Sequence, residues 1–223
     1  MKTSAYWLAL ALILAVPGAH ADEASARAKL AAEQVAFTPD AFLSEVAAGN
    51  VEHVKLFLEG GIDPAVKNAQ SQTALWLTVE HKQLAVLQAL LAGGVAPNEA
   101  NAPVLAGGKT IVFGAVDTGD AAFVRALVEA GADAKKANDY EMPPLAEAAR
   151  TGNLEMCQVL LKGGADANAA PAGFPLLFGP VNEDHPEVVK LLLESGARLG
   201  EHKAALLEAA KTPAMRELLE RAE

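Results

Sequence analysis

Apolar positions along this chain recur in a fixed phrase. Five times a leucine-rich stretch closes on glycine: VKLFLEGGID, VLQALLAGGVA, VRALVEAGAD, CQVLLKGGAD and VKLLLESGAR, the closing residues being Gly61, Gly94, Gly131, Gly164 and Gly196. Successive closings lie 33, 37, 33 and 32 residues apart, a period that marks stacked structural units rather than one folded core. Each closing glycine is preceded, 21 residues earlier, by a helix-opening phrase: Asp40-Ala41-Phe42-Leu43, Thr73-Ala74-Leu75-Trp76, Thr110-Ile111-Val112-Phe113, Pro143-Pro144-Leu145-Ala146 and Pro175-Leu176-Leu177-Phe178. A turn lies between the two halves, at Gly49-Asn50, Lys82-Gln83, Gly119-Asp120, Gly152-Asn153 and Asp184-His185. Each unit is therefore expected to be helix, turn, helix, loop.

Local chemistry supports those boundaries. Threonine or proline at a helix start suits a cap or first-turn position, where the N–H that proline lacks has no helical partner. Gly49, Gly119 and Gly152 can take the left-handed backbone that ends a first helix. In the second helix Val54, Leu56, Phe57 and Leu58 supply apolar surface for neighbouring units. No single unit buries enough, but a stack makes a continuous core.

The clearest copy, PPLAEAARTGNLEMCQVLLKGGADAN at residues 143–168, resembles the ankyrin repeat. The resemblance covers residues 38–221 and implies an all-α ankyrin-repeat solenoid of about five helix-turn-helix repeats plus a degenerate C-terminal cap. Repeats are expected near 38–68, 70–98, 107–135, 140–168 and 172–199, with the cap at 202–221 and a helical N-terminal lead-in over 22–37. Three departures from the family pattern stand out. Its usual histidine at the fourth position of the opening phrase is replaced by Leu43, Trp76, Phe113, Ala146 or Phe178, so apolar packing must take over its role. The second junction, within Pro97 to Lys109, carries about four extra residues, which make an enlarged loop. The last unit is degenerate, with helices expected over Ala204–Ala210 and Pro213–Arg221.

The N-terminus bears on compartment. Lys2, the apolar run from Leu8 to Val16, the Pro17-Gly18 break and Ala19-His20-Ala21 have the layout of a cleavable secretory signal. The run is too short to span a bilayer, which takes about 20 residues. A mature chain from Asp22, periplasmic and without stable membrane insertion, is the expectation. Net charge is −10, and becomes −11 when Lys2 is lost. No Lys/Arg cluster exists to neutralise phosphates, so nucleic acid is not an expected partner. An acidic surface mildly favours basic partners.

Candidate chemistry dissolves into the repeat. Cys157 is the single cysteine and falls where the second helix buries a small apolar residue. His53, His81, His185 and His202 sit in separate units without zinc-motif spacing, so no metal is expected. Asp63, Asp133 and Asp166 recur after the closing glycine, which suits loop hydrogen bonding. Asp184-His185 is in register with the inter-helix turn, and Gly107-Gly108-Lys109 lacks the pattern of a phosphate loop. No cofactor and no catalytic residue is expected.

The resemblance implies that loops before each first helix, together with exposed positions on that helix, line a concave binding face. Candidate partner-binding residues are Gln70, Gln72, Lys109, Asp139, Tyr140, Glu141, Met142 and Phe174 from loops. Glu80, Asp117, Glu147, Arg150 and Asn182 come from first helices. Tyr140, Met142 and Phe174 carry most weight, because aromatic anchors dominate interface energy. The leading expectation is a non-catalytic periplasmic module, monomeric when free, that binds another protein. It would protect a periplasmic enzyme or neutralise an antibacterial effector. The alternatives are a secreted effector acting on a host protein and an enzyme with an unrecognised site in the groove.

Overall fold

Threonine caps set the rhythm of the helices. The side chains of Thr38, Thr73 and Thr110 accept from the backbone N–H groups of Ala41, Trp76 and Phe113, which satisfies one orphan donor at each helix start. The computed structural model describes residues 19–99 and 108–222. The apolar run and the Pro17-Gly18 break of the expected leader lie outside the described residues, as does most of the enlarged loop.

Helix α1 spans Ala19–Ala32. Six helix pairs follow: α2 (Pro39–Ala48) with α3 (Val51–Glu59), α4 (Ala74–Glu80) with α5 (Leu84–Ala92), and α6 (Ile111–Asp117) with α7 (Ala121–Glu129). Then come α8 (Pro144–Arg150) with α9 (Leu154–Lys162), α10 (Phe178–Asn182) with α11 (Pro186–Glu194), and α12 (Lys203–Ala209) with α13 (Pro213–Arg221). First helices pack in one row, each on the next, from α2 through α12. Second helices make a parallel row from α3 through α13. The described residues hold no strand, only an isolated bridge between Lys67 and Thr73.

One apolar core runs the length of the stack between the rows, from Leu30 and Phe42 to Met215 and Leu219. The residues that replace the family's histidine lie in or against it: Leu43, Trp76, Phe113 and Ala146 are buried, and Phe178 is half-buried. The closing glycines all have positive φ, from 78° at Gly61 to 92° at Gly196, a conformation that glycine adopts without strain.

Both ends are covered. Helix α1 packs on α3, in the place a preceding second helix would occupy. Ala26 and Leu30 are buried there, the Arg27 guanidinium lies 4.4 Å from the centre of the Phe37 ring, and its Nε donates to Gly60 O at 2.8 Å. At the far end, Thr212 caps α13 and its hydroxyl donates to Asp184 at 2.9 Å.

One boundary moves. The opening phrase at Pro175 leads to a helix only from Phe178, and α10 has five residues. Pro180 explains the shift. A helix begun at Pro175 would place it in the interior, where it removes a bond and clashes with the preceding turn. Begun at Phe178, the helix places Pro180 in its first turn, where no N–H is needed.

Candidate functional site

The loops that lead into the first helices are built by single asparagines. Asn138 Oδ1 accepts from Tyr140 N at 3.0 Å and from Met142 N at 3.1 Å. The backbone closes the same loop, with Asn138 N donating to Met142 O and Glu141 N to Asn138 O, both at 3.0 Å. Asn68 does the same for Gln70 and Gln72, at 3.0 and 2.9 Å. The residue before the last loop position is left-handed in both, with φ of 61° at Ser71 and 59° at Glu141. Gln70 and Tyr140 are therefore equivalent loop tips. This clamp was not anticipated, because its asparagine lies five residues before Thr73 and before Pro143 but is replaced by leucine at 105 and alanine at 170.

A second asparagine stitches repeats together. Asn98 Nδ2 donates to Gly131 O at 2.9 Å, and its Oδ1 accepts from Asp133 N at 2.8 Å. Asn168 repeats the pattern on Gly196 O and Arg198 N, both at 2.9 Å. At the inter-helix turns Gln83, Asn153 and His185 reach back to carbonyls of the preceding unit, at Ala47, Gly119 and Arg150. His185 thus serves the stack. Asp63, Asp133 and Asp166 each accept from the backbone N–H two residues on, at 2.9 Å.

Across the first-helix face, the candidate residues fall into two regimes. In the second and third repeats, the residue just before the helix braces the residue at its C-terminal end. Gln72 donates to Glu80, and Lys109 pairs with Asp117 while lying 5.5 Å from the centre of the Phe113 ring. In the fourth and fifth repeats that first position is Met142 or Phe174, and the brace is gone. Arg150 turns instead to Glu147, donating two hydrogen bonds at 2.9 and 2.6 Å. Those bonds hold the Glu147 carboxyl below its ordinary pKa. Asn182 is exposed beside Glu183, to which its amide donates at 3.3 Å.

Exposure separates the candidates further. Gln72, Lys109, Met142 and Glu147 are half-buried, and Met142 packs on the core. Gln70, Glu80, Asp117, Asp139, Glu141, Arg150 and Asn182 are exposed. Tyr140 at 74 % and Phe174 at 61 % are the exposed large apolar side chains among the described residues. Phe174 makes an edge contact with Phe178 at 5.8 Å. Between α4 and α6 a groove of about 240 Å³ has Trp76 and Val79 as its apolar wall, with Glu80, Lys109 and Asp117 at its mouth. Gly114 lets the two helices approach: a Cβ there would stand 2.8 Å from Trp76 Cζ3.

Titratable groups elsewhere have structural employment. Cys157 is buried, and burial pushes its thiol up to about 12, so it is protonated at neutral pH and a poor nucleophile. His53 joins three elements. Its Nε2 lies 2.8 Å from Glu33, just beyond α1, and its Nδ1 2.9 Å from Glu45 on α2. These hydrogen bonds, Glu33 first, raise the pKa of His53 above its ordinary value.

Comparison with known proteins bears on the stack as a whole. A family model described as ankyrin repeats (3 copies) matches residues 42–138, 75–171 and 112–203. The B-cell lymphoma 3 protein homolog of Mus musculus is 33% identical over 153 residues, 66% of this chain and 33% of that protein. A putative ankyrin repeat protein of Fowlpox virus is 28% identical over 128 residues, 57% of this chain and 28% of that one. The chain spans about a third of the length of these curated relatives. Among solved structures, the ankyrin repeat domain of Bcl-3, described as a unique member of the IkappaB protein family, superposes with a TM-score of 0.70 at 28% identity, covering 81% of each chain. The human ASB11 ankyrin repeat domain superposes at 0.65 and 24% identity over 82% of each, a likeness of fold alone.

Proposed function

The chain belongs to the ankyrin-repeat family, and from that premise we propose that it is an exported, non-catalytic clamp that holds one protein partner on its first-helix face. Ankyrin-repeat arrays are protein–protein interaction modules. The observation that carries the choice of face is the fixed loop Asn138–Met142. Its hydrogen bonds hold Tyr140 at a position three-quarters exposed, so little ordering entropy remains to be lost on contact.

The non-catalytic reading rests on where the reactive residues went. Cys157 is a core residue, His185 bonds a neighbouring carbonyl, and the Asp63, Asp133 and Asp166 carboxylates close loops. The periplasmic location rests on Lys2, the Leu8–Val16 run and Ala19-His20-Ala21. No helix among the described residues is long and apolar enough to cross a membrane. In that compartment the partner is an enzyme that the array protects or an antibacterial effector that it neutralises.

Intact mass of the protein from osmotic-shock fluid tests the location. A chain beginning at Asp22 is expected. A mass that includes residues 1–21, or recovery in the cytosol alone, overturns it. Affinity capture from the same fluid with wild type and Tyr140→Ala tests the face, since the variant should lose the partner that wild type retains.

A further inference from the structure

The two exposed aromatics, Tyr140 and Phe174, stand on loops entering neighbouring first helices, α8 and α10, which pack together. Tyr140 is flanked in sequence by Asp139 and Glu141, both exposed. Neither these two acids nor Glu80 forms an ion pair among the described residues. Two basic groups of the first-helix face are spent: Lys109 pairs with Asp117, and Arg150 with Glu147 while also feeling Glu183. An exposed aromatic ring flanked in sequence by two carboxylates outside any ion pair favours a cation over its face, and the negative charge of the whole chain points the same way. The molecule uses this chemistry internally, where Arg27 covers Phe37 and Lys109 lies over Phe113.

We propose, resting on the reading of this face as the binding face, that its C-terminal half takes an extended segment of the partner protein bearing an arginine or lysine over Tyr140 and an apolar residue against Phe174. Spacing follows from the stack. Packed helices stand roughly 8–10 Å apart, and an extended chain advances about 3.3 Å per residue. The cation and the apolar residue are therefore about three positions apart. An acidic segment meets Asp139 and Glu141 as like charges and is rejected. A wholly apolar segment leaves those carboxylates desolvated without partners.

The probe is a fluorescein-labelled 20-residue peptide, Gly/Ser in background, carrying arginine and leucine three positions apart in repeated steps. A twin has glutamate for each arginine. Fluorescence anisotropy against the purified protein should show the arginine peptide binding and the glutamate peptide not. Tyr140→Ala and the double variant Asp139→Asn with Glu141→Gln should each weaken the arginine peptide about tenfold. Added salt should weaken it further. Glu187→Gln on the exposed side of α11 should change nothing, which excludes general attraction to an acidic protein. Equal binding of the two peptides, no binding of the arginine peptide at millimolar protein, or indifference to Tyr140→Ala overturns the proposal. Partner capture separates this from the broader reading. A captured partner released by Tyr140→Ala but insensitive to salt and to the Asp139/Glu141 variant keeps the face and removes the cationic segment. A partner indifferent to Tyr140→Ala removes both.

Discussion

Gly114 sets how closely α4 and α6 can stand, and its replacement pits two effects of similar size against each other. An alanine Cβ at this position would lie 2.8 Å from Trp76 Cζ3, 3.0 Å from Cη2 and 3.5 Å from Val79 Cγ1. Such overpacking of a filled core costs about 1–3 kcal/mol. Against it, alanine in place of glycine inside a helix stabilises by about 1 kcal/mol. The contact wins, and Gly114→Ala should lower stability by a net ~1 kcal/mol, or about 2–4 °C in Tm for a chain of this size. Trp76→Leu removes both offending ring carbons. In that background only the helix preference is left, and Gly114→Ala should raise stability by ~0.5–1 kcal/mol. Urea denaturation followed by circular dichroism on the four proteins of the cycle reads both signs. A change of the same sign in the two backgrounds would mean that the Trp76 contact does not govern the site.

Two further outcomes follow from the buried and bridged groups. Cys157→Ser should cost about 1–2 kcal/mol by placing a hydroxyl in the core, leaving partner affinity at the wild-type level. Wild-type Cys157 should resist thiol reagents until the chain unfolds, and rapid labelling of the native protein would contradict its burial. His53 has a folded pKa above its unfolded value, so its bonds to Glu33 and Glu45 stabilise fully below the unfolded pKa of about 6.5 and fade as pH rises through the folded one. Tm should therefore contain a falling component above about pH 6.5 that His53→Gln abolishes. An unchanged pH profile in that variant would show that the cluster does not hold α1 to the stack.

The repeat was legible because its signals are chemical and periodic. Thr73 and Thr110 read as caps and act as caps, and Gly49, Gly119 and Gly152 read as left-handed ends of first helices and are so. What escaped lies between repeats. Asn98 and Asn168 bond a unit that follows about 30 residues later, and no local pattern carries that information. Gly114 looks like a weak spot in a helix until Trp76 of the previous unit is laid against it. The shortened α10 was readable in principle from Pro180, whose missing N–H forbids the earlier start. On the candidate face, residue types alone suggested a row of free side chains. Gln72, Lys109, Glu147 and Arg150 instead engage neighbours on the same face, because polar and charged groups within reach of each other pair before a partner arrives.

A protein partner held on the first-helix face would be anchored near Tyr140. Calorimetric titration of the purified partner against wild type, Tyr140→Ala and Lys190→Ala tests it directly. Lys190 is exposed on α11, in the second-helix row. Tyr140→Ala should weaken binding by about 1–3 kcal/mol, roughly 5- to 150-fold in Kd, and Lys190→Ala should leave it unchanged. Loss of affinity in Lys190→Ala with none in Tyr140→Ala would place the partner on the opposite face.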